Sequence, residues 1–216
     1  MITSPKTKGA RVYILLPGIH TKPSDNNNWA PAMASAIGIT YDTAKAEEFR
    51  YYSSLFHKNG MKERVGFVID LCHRWWSAGY EVVIVGHSDG CEIVRQVLIE
   101  GPSIFKAAHL IAGAVEADFK ENGLLKVIED NKVETIFCYV SKGDKVIDKW
   151  ARASIRFLSW LKITFGTLGF DGPKNVPEEM IGSRVVIIER MSLRHSEWFS
   201  GVNWQSTFNS ITRLEF

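Results

Sequence analysis

The sequence predicts an α/β protein: a three-layer α/β/α sandwich around a mostly parallel sheet of about six strands. Short β-branched runs recur at residues 82–85, 107–112, 134–140 and 184–189 with no polar alternation, the signature of strands covered on both faces. Segments with helical apolar spacing separate them, as in a parallel sheet wrapped on both sides. The length, 216 residues at 45% hydrophobic, suffices for one well-buried core, so a single domain over 1–216 is expected.

Taken in order, residues 12–16 (VYILL) form the first strand, which ends in Pro17-Gly18-Ile19-His20. A polar loop, TKPSDNNN, leads to a helix near 29–37, and a weaker strand follows at 46–52 (AEEFRYY). Residues 62–77 read as a helix because Val65, Val68, Ile69, Cys72 and Trp76 share a face; Gly79 ends it. The strand at 82–85 opens into a helix over 91–100, where Ile93, Val94, Val97 and Leu98 keep helical spacing until Gly101-Pro102. A strand at 107–112, a helix at 119–130 and a strand at 134–140 (ETIFCYV) come next.

Residues 149–165 are amphipathic, with Lys149, Arg152, Arg156 and Ser159 on one face and Trp150, Phe157, Leu158 and Leu161 on the other. A Gly/Pro-rich stretch to Ser183 precedes the last strand, 184–189 (RVVIIE), and a closing helix runs over 204–214.

Composition removes several classes of function. The net charge of +2 arises from both signs mixed along the chain, so no basic stripe argues for nucleic acid. Cys72, Cys91 and Cys138 are widely spaced and odd in number, which fits neither a disulfide framework nor a zinc site and favours a reducing compartment. The opening MITSPKTKGAR has no apolar signal region, and no apolar run reaches membrane-spanning length. A cytoplasmic protein without stable membrane insertion is expected. Asp25 and its Asn neighbours lack the spacing of a calcium loop, and GHSDG lacks the Lys-Ser/Thr ending of a phosphate loop. Neither metal nor cofactor is expected.

Gly86-His87-Ser88-Asp89-Gly90 fits G-x-S-x-G between a buried strand and a helix. That context lifts the serine onto the sheet edge in a strained turn, with glycines on either side to relieve crowding. A serine hydroxyl is a poor nucleophile at neutral pH. It needs a histidine base, and the histidine needs an acid that fixes its tautomer and stabilises its charged form.

On this elbow and the alternating strands and helices, the chain resembles a small member of the α/β-hydrolase superfamily. It lacks the first two strands of the family's full sheet and has no room for a large cap. The resemblance implies a serine esterase or lipase-like enzyme that cleaves a small-molecule carboxylic ester or thioester through an acyl-enzyme. Amidase or peptidase chemistry is the alternative on the same residues. It also implies the chain order serine, acid, histidine.

In that order the acid follows a later strand, and Asp144 in Ser141-Lys142-Gly143-Asp144 is the candidate; Glu116 and Asp118, after the preceding strand, are its rivals. His195 alone of the six histidines follows the last strand. His20 and His87 precede the nucleophile and read as pocket walls. Val146 and Trp198 join them as substrate-binding candidates in the wall-forming segments 141–147 and 191–199. His57, His73 and His109 read as core or surface.

A tetrahedral intermediate needs two N–H donors. The backbone of Asp89 supplies one, and that of Ile19 is the candidate for the other. Many family members have His-Gly where this chain has Pro17-Gly18, so Ile19 and His20 both stay open. The Asp89 side chain reads as a helix N-cap, and Cys91 as a small buried filler.

Two other readings remain. A hydrolase-like binding protein is one, since a fold hosts many functions. The other makes the basic, Trp-bearing helix at 149–165 a membrane-surface or partner-binding element, although its apolar face would serve equally to cover the sheet. In that packed arrangement the stretch 166–183 lies at the far edge, away from Ser88, and the site is open and suited to short acyl groups; the rival arrangement lays the helix over the site as a lid, with Trp150, Phe157, Trp160 and Leu161 against an acyl chain.

Overall fold

The computed structural model describes residues 9–18, 29–40, 45–48, 60–102, 104–153 and 166–213. Among them, six strands form one sheet: β1 (Arg11–Leu16), β2 (Lys45–Glu48), β3 (Glu81–His87), β4 (Phe105–Ile111), β5 (Val133–Val140) and β6 (Val185–Glu189). Their order is β2-β1-β3-β4-β5-β6, and every neighbouring pair is parallel. Parallel neighbours require long crossovers. These carry helices α1 (Trp29–Thr40), α2 (Met61–Ser77), α3 (Gly90–Glu100), α4 (Leu124–Glu129), α5 (Lys145–Ala153) and α6 (Leu168–Asp171), and α7 (Asn203–Arg213) follows the last strand.

Alternate side chains of β1, β3, β4 and β5 divide the core in two. Val12, Ile14, Leu16, Val82 and Ile84 pack with α2, α3 and α4 on one face. Tyr13, Leu15, Val83 and Val85 pack with α1 and α7 on the other. Both faces being covered is why these strands read as unbroken apolar runs. From β1 the chain winds out to β2 and returns to β3 on the opposite side of β1. Open parallel sheets bind ligands beyond the carboxyl ends of the strands at such a reversal. Gly18 follows β1 there, and Ser88 follows β3.

The helix expected at 119–130 is shorter. Asp118 Oδ1 accepts the N–H groups of Lys120 and Glu121, and Gly123 takes φ 84° before α4 starts at Leu124. A left-handed residue interrupts a helix, so residues 119–123 form turns instead. The helix expected from 149 already begins at Lys145, because Asp144 Oδ1 accepts the N–H of Ile147 at 3.1 Å and caps its first turn. Residues 154–165 of that segment lie outside the described residues, as do 49–52 of the weak strand, seen as β2 over Lys45–Glu48.

The stretch after 165 is not at the far edge. Gly166, Leu168 and Gly169 donate N–H bonds of 3.2, 3.0 and 2.9 Å to the carbonyls of Ala114, Val115 and Gly113, and Ser141 N–H bonds Gly169 O at 2.9 Å. Residues 113–115 follow β4 and Ser141 follows β5, so this strap crosses the carboxyl edge beside the elbow. Buried Leu168 anchors it in the main core. No helix among the described residues is long and apolar enough to cross a membrane.

Candidate active site

Ser88 sits at the tip between β3 and α3 with φ 56°, in the left-handed region. For a non-glycine residue this costs about 1–2 kcal/mol, so the surroundings must hold it there. They do so through its own peptide groups: Ser88 N–H bonds Ile111 O at 2.9 Å, and Ser88 O accepts from Cys91 and Ala114 at 3.1 Å each. The turn also needs its glycine, because a Cβ on Gly90 would lie 2.3 Å from Leu16 O. A Cβ on Gly18 would lie 2.8 Å from Ser88 Cβ, so the loop leaving β1 starts directly against the serine. Ile19 and His20, the candidates on that loop, lie outside the described residues.

Asp89 occupies the N-cap position of α3 with φ −63°, yet its side chain makes no capping bond, contrary to expectation. In this tight turn the first helical N–H groups are taken by backbone instead: Cys91 bonds Ser88 O, and Glu92 bonds Asp89 O.

Asp144 and His195 meet. The imidazole Nδ1 lies 2.8 Å from Asp144 Oδ2, with the carboxylate side chain wholly buried and the histidine side chain 17% exposed. A carboxylate accepts, so Nδ1 donates, and in the neutral ring Nε2 is then the bare nitrogen. Both Asp144 oxygens are engaged, the other with Ile147 N–H. Ser141 joins the acid-bearing and histidine-bearing loops: its Oγ donates to Leu193 O at 2.6 Å and accepts from Gly143 N–H at 3.1 Å. Glu116 and Asp118 make no such contact with His195. Glu116 Oε1 accepts Ala117 N–H, and Asp118 accepts from Lys120, Glu121 and Asn175.

Ser88 is joined to His195 through its neighbour. His87 Nε2 lies 3.0 Å from the carbonyl oxygen of His195, and the two rings are 4.9 Å apart. Among the described residues Ser88 Oγ makes no hydrogen bond to the imidazole, a looseness common in catalytic sites without substrate.

Trp198 is not a pocket wall. It is 1% exposed, packs edge-on against Tyr139 at 5.7 Å and belongs to the core beneath α7, where Thr207 Oγ1 bonds its carbonyl. An indole this large is drawn under the sheet by the area it buries. Val146 is 42% exposed at the start of α5, two residues past Asp144.

His109 is buried, bonded to Tyr139 Oη at 2.9 Å and stacked on Phe137; burial pushes its pKa down to about 3. His73 lies on α2 beside Ser77, and His57 lies outside the described residues. Cys91 is buried with its Sγ directed at Ile111 O, and burial pushes its pKa far up, so it is an inert filler. Sequence reasoning placed Ser141 in a wall-forming segment but missed its tie to the histidine-bearing loop. A serine opening the acid-bearing loop was the available signal. Among the described residues no group of three metal-ligating side chains converges.

Solved structures share this architecture. Esterase PE8 aligns with a TM-score of 0.58 at 10% identity, over 99% of this chain and 97% of its own. A putative hydrolase of the alpha/beta superfamily from Xanthomonas campestris pv. campestris aligns at 0.54 with 15% identity, over 94% and 97%. Est1E from Butyrivibrio proteoclasticus aligns at 0.56 with 9% identity, over 98% and 90%. No protein-family model matches the sequence, and no curated protein matches it. At such identities the likeness is one of fold, and it is plain: this chain has the α/β-hydrolase fold.

Proposed function

We propose that the protein is a serine hydrolase that cleaves a small-molecule carboxylic ester or thioester, with Ser88 as nucleophile, His195 as base and Asp144 as acid. The observation that carries the reading is the Asp144–His195 hydrogen bond, 2.8 Å long, at the same sheet edge as a serine held at positive φ in a strand-turn-helix elbow. Hydrolases and esterases among the structures of the same fold agree with it.

In this mechanism Ser88 Oγ attacks the acyl carbon while His195 Nε2 takes the hydroxyl proton, and buried Asp144 stabilises the imidazolium. The Asp89 N–H and that of Ile19 or His20 receive the developing oxyanion. His195 then returns the proton to the departing alcohol or thiol. Water, deprotonated by the same nitrogen, attacks the acyl-enzyme and frees Ser88. A short acyl group is favoured because residues 112–123, which join β4 to α4, are too few to carry a cap domain, and the strap at 166–169, which borders the same edge, is held down on the main chain of residues 113–115. Activity on p-nitrophenyl esters should peak at about two to four acyl carbons, since further methylenes help only where apolar surface exists to bury them.

Reaction with a fluorophosphonate probe tests the central claim. Labelling of the wild-type protein that disappears in Ser88→Ala is the expected result. Folded protein that does not label would leave a hydrolase-like binding protein as the better reading.

A further inference from the structure

His87 precedes the nucleophile and takes no part in the steps above, yet it is more than a spacer. It is 9% exposed, and its ring is packed edge-on against Phe199 at 5.3 Å and Trp29 at 6.4 Å, with the His195 ring 4.9 Å away. Its Nε2 faces the carbonyl oxygen of His195 at 3.0 Å. A carbonyl only accepts, so Nε2 carries the proton, and the tautomer of His87 is set by this contact. Burial, with His195 close by, lowers its pKa to about 3, which keeps the ring neutral through the range where a histidine base works.

The geometry separates two ways of holding His195. Asp144 restrains the imidazole at Nδ1, but a bond at the ring leaves its loop free to carry ring and acid contact away from Ser88. Side chains from outside hold the loop itself at three carbonyls: Ser141 Oγ at Leu193 O, His87 Nε2 at His195 O and Thr207 Oγ1 at Trp198 O. Only the second comes from the strand that bears the nucleophile. We infer that His87 is a positioning residue for His195, a neutral Nε2–H donor that ties the backbone of the base to the end of β3 and so sets its distance from Ser88. This rests on the reading of Ser88 and His195 as nucleophile and base.

The test compares two variants on p-nitrophenyl butyrate. His87→Phe keeps an aromatic ring and loses the donor; His87→Gln loses the ring and keeps an N–H near the position of Nε2. The Phe variant should lose about 10- to 100-fold in kcat with KM little changed, the scale of loss for a displaced catalytic group. The Gln variant should recover several-fold of that loss. A ring that merely fills space gives the reverse order, Phe near wild type and Gln impaired, and that result overturns the inference.

A second measurement needs neither variant to be stable nor active. Nitrogen-15 NMR of the wild-type histidines should show His87 as the Nε2–H tautomer without titration from about pH 5 to about pH 9. The Nδ1–H tautomer, or titration in that range, equally overturns it. Ser88→Ala in the same assay keeps the two claims apart. Turnover that survives Ser88→Ala sinks the parent reading and this one with it. An inactive Ser88→Ala beside a fully active, folded Phe variant sinks only the role of His87.

Discussion

Asp144 and His195 stand 51 residues apart in sequence, yet the imidazole Nδ1–H reaches the carboxylate Oδ2 at 2.8 Å. An amide at position 144 can offer its NH2 to Nδ1 and so select the opposite tautomer, in which Nε2 is protonated and cannot serve as base. Asp144→Asn is expected to lower kcat on an activated ester by about 10³–10⁴ with the fold intact. Glu116→Gln and Asp118→Asn should stay near wild type, because those carboxylates hold their own loop. A large loss at Glu116 with a mild one at Asp144 would reassign the acid.

In the proposed mechanism Ser88 and His195 act in one proton transfer, so their losses should not multiply. Ser88→Ala and His195→Ala are each expected to cost roughly 10⁴ or more in kcat, with the double variant little worse than either. Multiplying losses in steady-state assays would show that the two do not share a step.

The positive φ of Ser88 gives a prediction about stability in which activity plays no part. Ser88→Gly and Ser88→Ala both remove the hydroxyl, but only alanine keeps a Cβ at φ 56°. The glycine variant should be the more stable of the two by about 1 kcal/mol in urea unfolding, the left-handed penalty less the entropy glycine gains in the unfolded chain. Equal stabilities would mean that the elbow holds no strain at this residue.

Acid should weaken the fold through two histidines. His87 and His109 are both buried and have their pKa values lowered to about 3. An unfolded histidine titrates near 6.5, so below that pH the unfolded chain takes up protons that the folded chain refuses, and stability falls as pH drops from about 6.5 toward 3. At pH 5 this amounts to about 2 kcal/mol for each histidine, by the same linkage. His109→Gln should therefore remove about half of these histidines' share of the decline in stability between pH 7 and pH 5. An unchanged decline would show that His109 is protonated inside the folded protein.

The sheet was legible in the sequence because burial on both faces leaves runs such as EVVIVGH and ETIFCYV with no polar interruption. Ser88 was proposed from the G-x-S-x-G elbow, and Asp144 and His195 from their places after later strands in the order that the resemblance implies. Their contact was not legible, since it depends on how β5 and β6 align at the carboxyl edge. The strap at 166–169 escaped because it is held by backbone N–H and carbonyl groups, which leave no side-chain pattern, so it was expected on the wrong edge. Trp198 was mistaken for a wall because a sequence shows that an aromatic lies near a histidine but not which way the loop turns it. The end of the predicted helix at 119–123 was obscured by apolar residues that pack well in turns, such as wholly buried Phe119.

The strap also dictates when the elbow around Ser88 is completed. Ser88 leaves the ribosome long before residues 166–169, and Ala114, whose N–H bonds the Ser88 carbonyl, is itself held at its own carbonyl by the N–H of Gly166. The base follows later still. The pairings of Ser88 with Ile111 and Ala114, and of Ala114 with Gly166, thus span long intervals of chain, and such pairings must close their loops before they return any stability. A nascent chain accordingly carries Ser88 in an unfinished turn, and under the proposed mechanism reactivity comes among the last properties the folding protein acquires.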